Sequence, residues 1–323
     1  MSEQGKNTRK KLSNETMQMI SVLGALVIMV GIFSVCSKNF LKVDNIMTIL
    51  LQSAITAITA YGMTYVIISG AVDLSIGSNI AFSGVIIALL LQAGVPIAIS
   101  ILITLVVGAL VGSMNGVMVS KMKLPPFIAT LGSQMTLRGL AYIITDSKPV
   151  YIQSVPSFKM LAQYRLFGIV PLPVLYTLVL GVIATFLLRK TVIGRNVFAV
   201  GSNEDAARLS GISISKIRIF AYVVSGMMAA VAGIIMCSRV ISGQPNIATG
   251  YEANAVASAV IGGASMRGGH GSIVGSLIGA LILGVLINGL NLMGVSQNWQ
   301  TFAIGVVMIL AVWVDKLRTV EKD

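Results

Sequence analysis

Between Ile46 and Leu91 the chain carries a single formal charge, Asp73, in the stretch SGAVDLSIGS. A carboxylate in so apolar a run has two chemistries open to it. It can accept backbone N–H groups where a helix begins and offset the helix dipole, with Ser75 satisfying the same turn. It can also line or gate a polar path through the apolar body. The cap is the favoured expectation, and the two roles are compatible. Arg138, in TLRGLAYI, is the second isolated charge. An arginine surrounded by lipid costs at least about 2.5 kcal/mol. It is therefore expected either to reach the boundary along its own stem or to pair with an acid such as Glu252. Tyr251 and Glu252 open a later apolar run in GYEANA, two residues before Asn254.

Little else in the chain can do covalent chemistry. It has no paired carboxylates, no activated serine and only one histidine, His270. Cys36 and Cys237 sit at the ends of apolar runs and imply neither a disulfide framework nor a metal site. The 17 methionines are scattered and read as packing residues. The run GGASMRGGHG, Gly262 to Gly271, lacks the Gly-Lys-Ser/Thr ending of a phosphate-binding loop and reads as a tight turn. No catalytic residues, metal or cofactor are expected.

The elements that must position these residues follow from composition. Hydrophobic residues make up 55% of the 323, charged residues 11%, and mean hydropathy is +0.89. Runs of about 20 apolar residues can each cross a hydrocarbon core, and their backbones must satisfy themselves as helices. The expected fold is all-α and polytopic, with ten spans at 17–36, 46–69, 73–92, 95–119, 124–144, 167–188, 217–238, 250–266, 272–294 and 299–314. One transmembrane domain, 17–316, lies between tails at 1–16 and 317–323, with an inner loop at 189–216. The first run lacks a short apolar core with a small-residue cleavage site, so it is expected to stay as a span.

The net charge of +12 has no aromatic-interleaved patch of the kind nucleic acid requires. It fits the positive-inside rule instead. This layout puts sixteen Lys and Arg on one side and six on the other, with Arg138 inside a span, which predicts both termini in the cytoplasm.

The spans carry a weak duplication. GALVGSMNG holds Gly108, Gly112 and Gly116, and GSIVGSLIG holds Gly271, Gly275 and Gly279. Four-residue glycine ladders let helices approach closely in lipid. Asn115-Gly116 recurs as Asn288-Gly289, and PPFIATLG is echoed by WQTFAIG. Spans two to five then correspond to seven to ten, entered from opposite sides, which is an inverted repeat. In the long inner loop Asn203 is positioned to cap a short helix, with Glu204 and Asp205 in its first turn and Gly211 past its end. That helix is either a solvated connector or a docking element.

Five stretches run in order from the second span to the C-terminus: YGMTYVIISGAVDLSIGS, PPFIATLGSQMTLRGLAYI, GRNVFAVGSNEDAARLSGISISKIRI, GYEANAVASAVIGGASMRGGHGSIVGSLIGALILG and NGLNLMGVS. Together they resemble the ribose-type permeases, the membrane subunits of bacterial ATP-binding-cassette sugar importers. The resemblance implies a catalytically silent subunit that forms the path of a monosaccharide across the cytoplasmic membrane. It implies a separate ATPase subunit, an outside sugar-binding protein and a second permease, identical or homologous. Carried over residue by residue, it places ATPase-coupling contacts at Glu204, Asp205, Ala206, Ala207 and Gly211. Asp73, Ser75, Arg138, Tyr251, Glu252 and Asn254 are the candidates for the pathway or its gate. The family has an aspartate where this chain has Asn254. The residues alone leave one alternative, a stand-alone ion-coupled transporter, which would draw its coupling acids from Asp73 and Glu252.

Overall fold

The computed structural model describes residues 14–152 and 155–320. Of the expected tails, residues 1–13 and 321–323 lie outside the described residues. Five helices come first: α1 (Asn14–Cys36), α2 (Val43–Ile68), α3 (Ile76–Gln92), α4 (Ile97–Ser120) and α5 (Pro126–Thr145). An excursion follows with β1 (Val150–Tyr151), a 3₁₀ turn (Pro156–Lys159), α6 (Met160–Gln163), β2 (Arg165–Leu166) and β3 (Val170–Pro171). The chain continues through α7 (Leu172–Lys190), α8 (Val192–Ser202), α9 (Glu204–Leu209), α10 (Ile214–Val240) and β4 (Ser242–Gly243). It closes with α11 (Tyr251–Ile261), α12 (Ile273–Leu292) and α13 (Gln297–Val320). β1 pairs antiparallel with β4, and β2 with β3, so the strands are two small clips on a helical body.

Among the described residues six helices, α1, α2, α4, α7, α10 and α12, are long and apolar enough to cross a membrane. The protein is a polytopic all-α membrane protein. Two of the expected spans form shorter helices. The 73–92 segment is helical only from Ile76, and the 250–266 segment only over the 11 residues of α11. At 1.5 Å per residue α11 is about 16 Å long, roughly half a hydrocarbon core. Gly263, at φ +98°, turns the chain where continued helix was expected. The segment 189–216, expected as an inner loop, holds two helices where one was expected. Thr191 Oγ1 caps α8 by accepting from Gly194 N at 3.1 Å, and Asn203 Oδ1 caps α9 by accepting from Ala206 N at 2.9 Å.

α2 is the central helix. Every residue from Ser53 to Ile68 is buried, as expected of a helix apolar on all faces. α10 packs on α4, α2 and α3, while α2 also packs on α12, α11 and α7. α3 also touches α4 and α5, and α11 also touches α12 and α13. The glycine ladder of α4 lies on α10: a Cβ on Gly108, Gly112 or Gly116 would overlap Gly226, Tyr222 or Ile219. The α12 ladder meets different partners. Gly275 and Gly279 press on Gly262 and Ser258 at the end of α11, and Gly271 on the Ile68 side chain. The two ladders are thus similar in sequence and not equivalent in packing.

Candidate functional site

α2 stops at Ile68, Gly70 takes φ +80°, and residues 71–75 lead to α3 without helical structure. Asp73 is buried in this break. Its Oδ1 accepts from Ser75 N at 3.0 Å and from Ser75 Oγ at 2.6 Å. Its Oδ2 accepts from Ser225 Oγ on α10 at 2.7 Å. The N-cap position of α3 belongs to Ser75, whose side chain makes no capping bond. Asp73 therefore folds the turn that leads into α3 and, through Ser225, ties that turn to α10.

Ser225 is eleven residues beyond Ile214, about 16 Å along a helix of 27 residues, so Asp73 meets α10 well inside its length. The network continues sideways. Asn115 Nδ2 on α4 donates to Ser75 Oγ at 2.8 Å, and Ser133 Oγ on α5 donates to Asn115 Oδ1. Tyr222 Oη donates to Val72 O at 2.9 Å, and Asn79 Nδ2 donates to Gly226 O at 3.2 Å. Four helices thus meet through buried side-chain hydrogen bonds, which are strongly specifying when satisfied.

A second break faces the first. Beyond α10, Ile241 takes φ +55°, and residues 242–250 run back into the body. Gly243 lies against Gly84, Val85 and Ala88 of α3, where a side chain would not fit. Arg138 Nη1 on α5 donates to Pro245 O and Ile247 O, both at 2.7 Å. Arg138 thus holds the returning segment by its carbonyls, and among the described residues it makes no ion pair with Glu252.

Glu252, in the first turn of α11, accepts at Oε1 from Gln134 Nε2 at 3.2 Å and from Gly250 N at 3.3 Å. Its Oε2 is buried without a hydrogen-bond partner and rests on Gly77, where a Cβ would overlap it. Ser78 Oγ, one residue on, is also buried and unpartnered. The N-termini of the two short helices therefore meet inside the body, with acceptor and donor groups left unused. Such a junction suits a neutral ligand rich in hydroxyls. Tyr251 packs at the edge of an apolar cluster that includes Ile67 and Ile76. Asn254 is partly exposed, and its side chain makes no hydrogen bond among the described residues. The same residues include no group of three or more His, Cys, Asp or Glu able to hold a metal.

The segment 189–216 reaches the break after α2 through backbone contacts. A Cβ on Gly201 of α8 would overlap Ile68 O and Gly269 N, and one on Gly268 would press on Gly201 and Gly70. Gly269 N donates to Ile68 O at 2.8 Å. Three chain segments therefore touch where α2 breaks, a contact no single motif announces. A cleft of about 800 Å³ leads to Gly70 between Ser120, Pro126, Ser213 and Arg218.

Of the coupling candidates, Glu204 is held by its own chain: Oε2 pairs with Arg218 at 2.6 Å and Oε1 with Arg208 at 3.2 Å. Asp205 is exposed and pairs with Arg208 at 3.8 Å. Ala206 is exposed, Ala207 is buried, and Gly211 ends the turn at φ +79°. Leu209, absent from the sequence expectations, is 90% exposed at the tip of α9. Val192 and Ile193 are also exposed on this loop, at 62% and 45%.

Comparison with known proteins agrees with this architecture. A family model described as the permease component of branched-chain amino acid transport systems matches residues 45–312. The chain is 40% identical over 301 residues to the ribose import permease of Haemophilus influenzae, covering 92% of this chain and 93% of that one. It is 41% identical over 304 residues to the ribose import permease of Bacillus subtilis, covering 94% of each. It is 38% identical over 302 residues to the L-arabinose transport system permease of Escherichia coli K12, covering 93% and 92%. No solved structure matches significantly. The chain belongs to the ribose-type family of membrane transport permeases.

Proposed function

We propose that this chain forms the solute pathway of an ATP-driven importer for a monosaccharide, a pentose or hexose, in the bacterial cytoplasmic membrane. The observation that carries the reading is the pair of short helices whose N-termini meet inside the helical body beside unused polar groups, in a chain about 40% identical to ribose import permeases. Interrupted helices meeting near the midplane are the usual site architecture of transporters built from inverted repeats. Helix packing supports such a repeat. Exchanging α2 with α10, α3 with α11, α4 with α12 and α5 with α13 turns the α4–α10 contact into α12–α2, and α3–α10 into α11–α2. The same exchange turns α3–α5 into α11–α13. In this reading ten helices cross or enter the membrane and both termini are cytoplasmic.

The subunit has no chemistry of its own. Hydrolysis belongs to a separate ATPase that docks on α8 and α9, and capture of the sugar to an outside binding protein. A second permease, identical or homologous, completes the pathway. The test is reconstitution of the co-purifying complex in liposomes with ATP inside and no ion gradient. Uptake of labelled ribose or arabinose that requires ATP and the binding protein is the expected result. Uptake by the chain alone, driven by an ion gradient, would overturn the reading.

A further inference from the structure

The residues just before α7 form a hairpin that neither the solute junction nor the α8–α9 segment uses. β2 and β3 pair Arg165 with Pro171 and Leu166 with Val170. Ile169 N donates to Leu166 O at 3.0 Å and closes a turn whose central residues, Phe167 and Gly168, take φ +53° and +73°. Turns of that handedness favour Asn or Gly at the centre, because a larger side chain crowds its own backbone there. Phe167 nevertheless stands at the tip with 95% of its surface exposed. A bulky ring held in a left-handed turn and covered by none of the described residues points to a contact outside the chain.

The hairpin's place in the chain says what that contact is. α7 follows β3 without a linker, and Leu172 N donates to Tyr164 O at 3.0 Å, so the hairpin is fixed to the start of α7. The 19 residues of α7 rise about 28 Å, close to the thickness of a hydrocarbon core, which puts Leu172 at one boundary of that core. The uncharged run is longer than the helix. No Asp, Glu, Lys or Arg occurs from Leu166 to Leu188, so the hairpin tip has the composition of the span it precedes. Ile169 is exposed beyond the turn, and so along α7 are Leu175, Leu178, Val179 and Val182, spaced as one face of a helix. At the hairpin's base Arg165 pairs with Asp44 in the first turn of α2 at 3.7 Å, so two spanning helices begin at this level.

We propose that this hairpin is a contact surface for the bilayer itself. Phe167, with Tyr164 and Ile169 beside it, enters the zone between head groups and acyl chains where α2 and α7 begin. Aromatic side chains favour that zone, and the strand pairs and turn already engage much of the hairpin's backbone. Burial of the ring there offsets the crowding of the left-handed turn. The contact is apolar, so it takes lipid of any head group. The uncharged tip, continuous with the exposed apolar face of α7, favours lipid over a protein in the water beyond. The proposal rests on the spanning helices and not on which solute crosses the membrane.

The test places the full chain in nanodiscs of phosphatidylcholine, with Trp299→Phe and Trp313→Phe removing its two tryptophans, both exposed on α13. Phe167→Trp then supplies the single fluorophore, and a melting curve confirms that the chain is folded. Its emission should be mostly lost in phosphatidylcholine brominated at shallow acyl positions, less in lipid brominated near the chain ends, and little affected by iodide in the water. Tyr164→Trp and Ile169→Trp, each in the same background, should show the same order with weaker lipid quenching, and they carry the test if Phe167→Trp does not fold. Leu209→Trp, at the exposed tip of α9, is the control that iodide quenches and brominated lipid does not. Emission from Phe167→Trp that iodide quenches as fully as it quenches Leu209→Trp, with brominated lipid without effect, would put the tip in water within reach of a protein and overturn the proposal.

Discussion

At Asp73 two serines supply three hydrogen bonds to one buried carboxylate, so the side chain has a structural task whatever else it does. Asp73→Ala leaves those donors without an acceptor, and the expected loss is about 2 kcal/mol or more in folding stability. Asp73→Asn keeps one acceptor oxygen and a short side chain, so about 1 kcal/mol is expected. Melting temperatures in detergent should rank the variants in that order. Equal stability for Asp73→Ala and wild type would mean that the turn forms without the carboxylate. Glu252 presents the opposite case, with one oxygen engaged and the other idle. Glu252→Gln preserves the bonds to Oε1 and changes only the unpartnered atom from acceptor to donor. Stability should change by no more than about 0.5 kcal/mol. ATP-driven uptake per folded molecule should fall at least about tenfold, the value of one charge-assisted hydrogen bond to a solute hydroxyl. Wild-type uptake would remove Oε2 from the pathway.

At the scale of elements, α9 is clamped to the start of α10 by the Glu204–Arg218 pair, and seven residues further along α10 stands Ser225, which holds Asp73. A displacement of α9 therefore has a short rigid route to the break between α2 and α3. Two variants separate docking from transmission. Leu209→Asp places a charge on the exposed apolar tip of α9 and should weaken co-purification of the ATPase. Arg218→Gln leaves that tip intact and removes the clamp. It should retain the ATPase while hydrolysis loses its stimulation by sugar-loaded binding protein. Both effects are read on one reconstituted complex, by subunit ratio and phosphate release. Undisturbed stimulation in Arg218→Gln would show that α8 alone, through Gly201 against Ile68, carries the contact.

For the whole molecule, the apolar segments were legible because lipid and a buried core select the same side chains, so hydropathy marks nearly every helix. The start of α3 and the end of α11 were less legible, read three residues early and five residues late. The breaks themselves were readable, from Gly70 and Asp73 in one case and from Gly243, Pro245 and Asn246 in the other, but the path of residues 241–250 back into the body depends on tertiary contacts. The partners of Asp73 were hidden for a related reason: a lone serine such as Ser225 is unremarkable in any span until another helix faces it. The α9 cap was readable from Asn203 and the acids after it, whereas α8 passed for a connector. In the proposed repeat both breaks are bridged between halves, by Ser225 to Asp73, by Arg138 to Ile247 and by Gln134 to Glu252. If one half rocks against the other during transport, the α5–α11 bridge must lengthen or slide. A chain with Cys36→Ser, Gln134→Cys and Glu252→Cys offers one reactive pair at this contact, since Cys237 is buried. A short thiol cross-linker should trap a single state with substrate-stimulated ATP hydrolysis lost, and a longer flexible one should restore it. Uptake itself cannot report here, because Glu252 is replaced. Full stimulation with the short linker in place would mean that the two halves move as one body at this contact.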